Sequence, residues 1–286
     1  MRGETMPTRN GYVDTRIGQV HFRTAGASGP RVVLLHQTAS SSRMYGRLME
    51  HLEDSFQLFA FDTPGFGNSA AFPDAPSITD LAAVLSEAAR GLGLTDFHLV
   101  GHHTGAAIAT QWAADEPAAV RSLTSIGALA MGQAERERWR SGIHPAPVLV
   151  SGAHFAHAWE RVAEIDAHPV MFAPDAELRH REAVDVLLAS PRWPEAYLAV
   201  FAHDYEAALD RVACPLLLIC GEQDILHPYL AATAARRPDA VVVVPAAGAY
   251  VLDQHLESVA PALADFLSAP RREDIEPNHP REREIQ

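Results

Sequence analysis

The sequence predicts an α/β fold: a mostly parallel, doubly wound sheet with an inserted helical cap. Three observations lead there. Short apolar runs at residues 32–36, 56–61, 97–100 and 120–126 alternate with helical stretches, as a parallel sheet covered on both faces requires. That rhythm stops between Gly132 and Arg211, where helical stretches with many Pro and aromatic residues contain no clear buried-strand run. It returns at residues 216–219 and 241–244 and closes with a helix over 252–267.

Each element has a local reason. Residues 12–25 alternate apolar and polar side chains around Gly18 and read as a hairpin, an edge pair of the sheet. Residues 32–36 are a continuous apolar run, the pattern of a strand buried on both faces. Ser40, Ser41 and Ser42 offer caps for a helix over 43–52. The strand at 56–61 runs into a turn-rich loop from Asp62 to Ser69. Ser77, with Asp80 three residues on, opens a helix to about Arg90. The expected organisation is a core over 11–131 and 212–268, a helical cap over 132–211, and flexible termini at 1–10 and 269–286. The last of these is charged, contains Pro and has little to bury.

Composition narrows the function classes. The 286 residues suffice for a large buried core. A net charge of −13, with no basic cluster, argues against nucleic acid as a partner. All 23 basic residues are Arg, so this chain supplies no Schiff-base lysine and no P-loop lysine. Cys214 and Cys220 stand at the two ends of one apolar run. Six residues of strand span roughly 20 Å, too far for a disulfide, so the pair is expected as reduced, core-packed thiols. Residues 1–10 lack the apolar stretch of a secretory signal, and no run approaches the about 18 apolar residues of a membrane span. The expectation is a cytoplasmic protein acting on a small-molecule substrate, without membrane, metal or organic cofactor.

The chemistry concentrates at Gly101-His102-His103-Thr104-Gly105. An apolar β-like run enters it, small residues flank a sharp turn, and Ala106-Ala107-Ile108-Ala109 leaves as a helix. This is the layout of G-x-S-x-G, which presents a nucleophile on a strained turn, but the central residue is His103.

Over most of residues 12–268 the chain resembles the α/β-hydrolase superfamily with a helical cap. Leu34-Leu35-His36-Gln37-Thr38 resembles the strand that ends in His-Gly-x, with Gln37 in place of Gly. Asp62-x-x-Gly65-x-Gly67-x-Ser69 resembles the next loop. Gly101-x-His103-x-Gly105 resembles the nucleophile elbow. Pro215 to Gly221-x-x-Asp224, with Pro228 after it, resembles the segment that carries the acid. The family's final Gly-His is here Gly248-Ala249-Tyr250, so the base position is Ala249. His255, six residues later, is too far along to stand in for it. Two of three triad positions are therefore changed, and Asp224 remains. The resemblance implies an oxyanion site built from the backbone of Thr104 and of Gln37 or Thr38.

Without hydroxyl and base, the Ser–His–Asp mechanism is closed. Three readings of His103 stay open. As a general base or acid it can activate water, or drive an elimination, isomerisation or carbon–carbon cleavage as a cofactor-free lyase or cyclase. As a nucleophile it can attack an activated acyl or phosphoryl group, with Asp224 holding its other nitrogen and its ring filling part of the gap beside Ala249. On the third reading, the scaffold binds a small ligand without chemistry. Thr104 and Thr38 add hydroxyls to orient a polar substrate, Gln37 is a substrate contact or a surface amide, and Tyr250 donates into the pocket or packs.

Other residues weigh less. His36, His102 and His103 do not make a zinc pattern, since no H-E-x-x-H or C-x-x-C occurs. His36 and His102 fall where the family carries structural histidines, although His36 also borders the expected substrate site. In the cap, Trp139, His144, His154, Phe155, His157 and Trp159 are expected mostly to pack, with one or two lining the pocket. Arg136, Arg138 and Arg140 read as a solvated face. His227, three residues after Asp224, is a substitute base or a capping histidine.

Overall fold

In the computed structural model, which describes residues 8–144, 146–162 and 174–269, the apolar runs assemble into one eight-stranded sheet. Its strands are β1 (Arg9–Thr15), β2 (Gly18–Ala25), β3 (Arg31–Leu35), β4 (Gln57–Phe61), β5 (Phe97–His102), β6 (Val120–Ile126), β7 (Leu216–Ile219) and β8 (Val241–Val243). Their order is β1-β2-β4-β3-β5-β6-β7-β8. β1 and β2 form the hairpin, with Val13 opposite Val20, and β2 also runs antiparallel to β4. All other neighbours are parallel. The strand sequence reverses direction across the sheet between β3 and β5. A crevice opens at such a switch point, beyond the carboxyl ends of the strands.

Helices α1 (Gly46–Leu52), α2 (Ile78–Gly91) and α3 (Thr104–Asp115) follow the early strands. Between β6 and β7 lie α4 (Gly132–Ser141), α5 (Ala153–Arg161), α6 (Ala176–Leu188), α7 (Pro194–Ala202) and α8 (Tyr205–Asp210). α9 (Leu230–Arg236), α10 (Val251–Gln254) and α11 (Leu256–Ser268) complete the chain's described part. The sheet is buried on both sides because successive side chains alternate faces. Val33 and Leu35 pack with Leu85 of α2 and Ile108 of α3, whereas Val32 and Leu34 pack with Leu48 of α1 and Leu263 of α11. Each such side chain withdrawn from water contributes roughly 1.5–3 kcal/mol, which is why these strands read as unbroken apolar runs. β8 is an edge, and its Val241 and Val242 stay exposed.

Local signals hold at the helix starts. Ser77 and Asp80 form a reciprocal capping box on α2, and Ser41 caps the turn before α1 through the Arg43 N–H. Three boundaries differ from expectation. β1 begins at Arg9, inside the segment expected to be a flexible terminus, because Arg9 and Asn10 pair with Thr24 and Arg23. The closing helix is two helices, since the chain at His255 turns out of helical geometry (φ −136°) between α10 and α11. The expected helix over 43–52 begins with a 3-10 turn at Ser42–Tyr45. The remainder of both expected flexible termini lies outside the described residues, apart from Thr8 and Ala269.

The regular structure described between β6 and β7 is all helical, and this segment docks on the core through buried charge. Arg181 of α6 makes a two-pronged contact with Asp253 at 2.6 and 2.9 Å and also reaches Glu182. Ser40 and Ser41 donate to Glu182 and Asp185, each at 2.9 Å. Burial raises the carboxyl pKa of both acids despite these partners. Cys214 and Cys220 are both free and buried, and burial pushes the Cys214 thiol up to about 11. No described helix is long and apolar enough to cross a membrane.

Candidate active site

The turn after β5 carries the site. His103 has φ 49°, the only non-glycine positive φ among the described residues. Its N–H continues the sheet by donating to Ile126 O at 2.8 Å, while its C=O already accepts from Ala106 N–H and Ala107 N–H of α3. One residue thus ends a strand and starts a helix, and left-handed geometry is the consequence. Gly105 makes the bend possible, because a Cβ there would collide with the backbone oxygen of Leu35.

His103 Nε2 lies 2.9 Å from Asp224 Oδ2, and both residues are buried. Asp224 Oδ1 accepts the Leu226 N–H at 2.8 Å. A carboxylate only accepts, so Nε2 carries the proton and Nδ1 holds the free lone pair. The Cδ2–Nε2 edge of the ring rests on Gly127, where a Cβ would come within 2.5 Å of Cδ2. His103 and Thr104 line a cavity of about 360 Å³ under α4, α5 and α7, walled by Leu129, Trp139, Ile143, Trp193, Phe201 and Leu226 among others.

Among the residues expected at the site, His103, Thr104 and Asp224 come together. The Thr104 hydroxyl is buried with no protein partner, and the Thr104 and Gly105 N–H groups that open α3 have no intrahelical acceptor. His36 is a correction: its Nδ1–H donates to Gln37 O at 2.7 Å and its Nε2 accepts from Thr63 N–H at 2.9 Å. Both nitrogens are spent on the loop, and burial holds its pKa down. Tyr250 is a second correction, because its hydroxyl donates to Val162 O at 2.9 Å beneath the cap rather than into the cavity. Gln37 and Thr38 are buried beside the site without lining the cavity. The Gln37 amide oxygen has no partner, and Thr38 O accepts from Tyr197 OH at 2.9 Å. Neither His227 nor His255 lines the cavity, and Ala249 is wholly buried.

His102 sits behind the elbow, fully buried, its ring edge-on to His103 at 4.7 Å and facing the Ala249 backbone. Burial and the neighbouring His103 keep it well below the ordinary histidine range, hence neutral. Single donor atoms of His102, His103 and Asp224 lie within 4.8 Å of one another. This differs from the trio weighed in the sequence, because His36 is spent. An ion there would have to displace the His103–Asp224 bond.

Three of the six aromatic and histidine residues singled out in the cap, Trp139, His144 and His157, line the cavity. Phe155 and Trp159 are exposed instead. Arg136 departs from the solvated face, since it is part-buried and donates to Glu206 at 3.0 Å and to His203 O at 2.8 Å. Arg161, Trp193 and Tyr197 escaped sequence reading. The available signal was that His157 and Arg161 stand at i, i+4 and share a helix face.

A family model described as alpha/beta hydrolase fold matches residues 30–147. "Putative carbamate hydrolase RutD" of Escherichia coli O139:H28 is 30% identical over 212 residues, covering 71% of this chain and 76% of the relative. Its namesake from Shigella dysenteriae serotype 1 is 30% identical and is covered over 91% of its length, against 71% of this chain. Among solved structures, E-2-(acetamidomethylene)succinate hydrolase is 25% identical with a TM-score of 0.73, covering 92% of this chain and 100% of that one. A hydrolase from Pseudomonas aeruginosa PA01 is 19% identical with a TM-score of 0.76, covering 91% of this chain and 98% of that one, and shares the fold.

Proposed function

Because this chain belongs to the α/β-hydrolase superfamily, we propose that it hydrolyses a small organic substrate by water activation, with His103 as general base and Asp224 as its orienting acid. The observation that carries this reading is the 2.9 Å bond from His103 Nε2 to Asp224 Oδ2 at the wall of the cavity. It fixes the tautomer whose Nδ1 accepts a proton. A water at Nδ1 attacks the substrate carbonyl carbon, its proton passes to Nδ1, and Asp224 stabilises the imidazolium. That proton then goes to the leaving group. The Thr104 and Gly105 N–H groups at the start of α3 are the donors for the carbonyl oxygen as it gains charge.

General base catalysis is favoured over nucleophilic attack on steric grounds. The ring nitrogen left free is Nδ1, which adjoins the carbon bearing the side chain and is the more hindered of the two. Accepting a proton from water tolerates that crowding better than forming a bond to an acyl carbon. Such a base supplies about 10²–10⁴-fold in rate, and the apolar walls orient the substrate for the remainder. The relatives' names point to amide-like and carbamate substrates as the first classes to try.

Turnover of a panel of esters, lactones, thioesters and carbamates tests the proposal. His103→Ala is expected to remove turnover while leaving ligand affinity nearly intact, and a fluorophosphonate probe for serine nucleophiles leaves the wild type unlabelled. Strong labelling overturns the assignment of the elbow. Ligands that raise the melting temperature without any turnover support the binding-only reading instead.

A further inference from the structure

We propose that Arg161 is a carboxylate-binding residue for the substrate of this same cavity, so that the substrate is a small organic acid with an apolar body. This deepens the hydrolytic reading and rests on it for the word substrate, although the binding itself does not.

Arg161 ends α5 and is almost wholly buried, at 7% exposure, while lining the cavity with His103. Its guanidinium carbon stands 4.0 Å from the centre of the Trp193 ring and 5.3 Å from that of Tyr197. The two rings meet edge-on at 6.0 Å and hold the guanidinium in one orientation. Nη2 donates to Tyr197 OH at 2.8 Å, and Tyr197 OH donates onward to Thr38 O at 2.9 Å. This is the one hydrogen bond that the guanidinium makes among the described residues, out of five N–H donors. No carboxylate of the described residues forms an ion pair with it.

Arginine is rarely buried without an acid. In this protein acids outnumber bases by 36 to 23, Arg161 is the most buried arginine among the described residues, and two part-buried ones, Arg136 and Arg181, each hold carboxylates. At Arg161 no such partner stands among the described residues, and the guanidinium lines a cavity whose walls are largely aromatic and aliphatic. A planar guanidinium fork matches a planar carboxylate through two parallel hydrogen bonds. Held by stacking beforehand, it loses little freedom when the acid arrives. Because Arg161 and His103 line one cavity of about 360 Å³, one molecule can meet both. Its carboxylate would lie on the fork, its apolar body along Trp193 and Phe201, and its scissile bond at His103.

Matched acids and neutral amides read this out as binding alone: phenylacetate against phenylacetamide, 4-phenylbutanoate against 4-phenylbutanamide, and succinate against succinamide. Affinities are measured by calorimetry and by tryptophan fluorescence. The expected result is a preference of about tenfold or more for the acid in at least one pair. It is kept in His103→Ala and lost in Arg161→Gln, with Arg161→Lys falling between because it keeps charge and loses the fork. Should Arg161→Gln fail to fold, the weakening in Arg161→Lys carries the test. Equal affinity for acid and amide in every pair, no binding of any acid, a preference that survives in a folded Arg161→Gln, or tighter binding of inorganic phosphate than of any acid overturns the proposal. Turnover without an acid preference sinks this proposal alone. An acid preference without turnover sinks the hydrolytic reading alone.

Discussion

His21 Nδ1 meets Asp62 Oδ2 at 2.8 Å, and His103 Nε2 meets Asp224 Oδ2 at 2.9 Å. All four residues are buried, and distance does not separate the pairs. Their surroundings do. Asp62 also accepts Ser42 N–H at 2.7 Å and Asn68 N–H at 2.9 Å, so it pins two loops to β2. The cleft at that pair, of about 430 Å³, is lined by charged groups such as Arg23, Arg43 and Asp185. Asp224 has a single further donor among the described residues, its histidine sits on a strained turn at the start of a helix, and the adjoining cavity is largely aromatic. On the proposed reading, a histidine–aspartate contact serves chemistry only where the histidine lines a shaped cavity at the start of a helix, as His103 does. The same contact elsewhere is a fastening.

Exchanging the damage between the two pairs is expected to give the largest effects. Asp224→Asn should lower turnover about 10²-fold or more, since the amide no longer stabilises an imidazolium, with little change in the urea midpoint. Asp62→Asn should leave the turnover of folded protein within a factor of a few and lower stability by roughly 3 kcal/mol, as expected when one partner of a buried charged cluster is removed. Steady-state kinetics and urea melts on both variants decide it. A stability loss at Asp224 equal to that at Asp62 breaks the distinction.

Much of that contrast is legible in the sequence, and the reason is locality. The elbow and the Asp62 loop are written in consecutive residues, with glycines where backbones must touch. The sheet is legible because Val32 to Leu35 must be apolar on both faces. Pairing of His103 with Asp224 could be anticipated only because the resemblance places the two loops side by side. Arg161 was hidden because its environment is assembled from Trp193 and Tyr197, more than thirty positions away. His36 and Tyr250 misled because sequence names the donor and leaves out which carbonyl it reaches.

Acid titration is expected to sharpen the comparison with a smaller effect. His98 is buried on β5, with Nδ1 2.7 Å from Ser122 Oγ, and burial, then the charge of Arg121, pulls its pKa down to about 4. His36 and His102 are shifted the same way by burial. The unfolded chain binds protons at these positions first, from about pH 6.5 downward. Their stabilisation is thus complete above that value and lost as pH falls toward 4, by about 3 kcal/mol for His98 alone. Burial pushes Asp62 upward, but the hydrogen bonds from His21 and from the N–H groups of Asn68 and Ser42 outweigh it. Its carboxyl lies well below the usual range, so its share persists above about pH 4 and is lost below. Glu182 and Asp185, raised by burial, oppose the trend as they protonate. Urea melts from pH 7.5 to 3 should show two falling limbs, with the lower one flattened in Asp62→Asn. A single limb below pH 4 removes the histidine contribution.

The smallest effect compares two hydroxyls. Thr63, in the Asp62 loop, and Thr104, at the elbow, both bury a hydroxyl oxygen that has no protein partner. An orphaned polar atom is unfavourable, and replacing it by an apolar isostere is neutral or stabilising. Thr63→Val and Thr104→Val should each raise stability by up to about 1 kcal/mol. They should part in kinetics. Thr104 lines the cavity and Thr63 does not, so only Thr104→Val should raise KM, by a few-fold, with kcat nearly unchanged. That split would mean that the Thr104 hydroxyl holds substrate in the ground state and transition state alike. An equal KM in both variants would mean that the orphan at the elbow is as inert as the one in the loop, and that recognition lies with the cap.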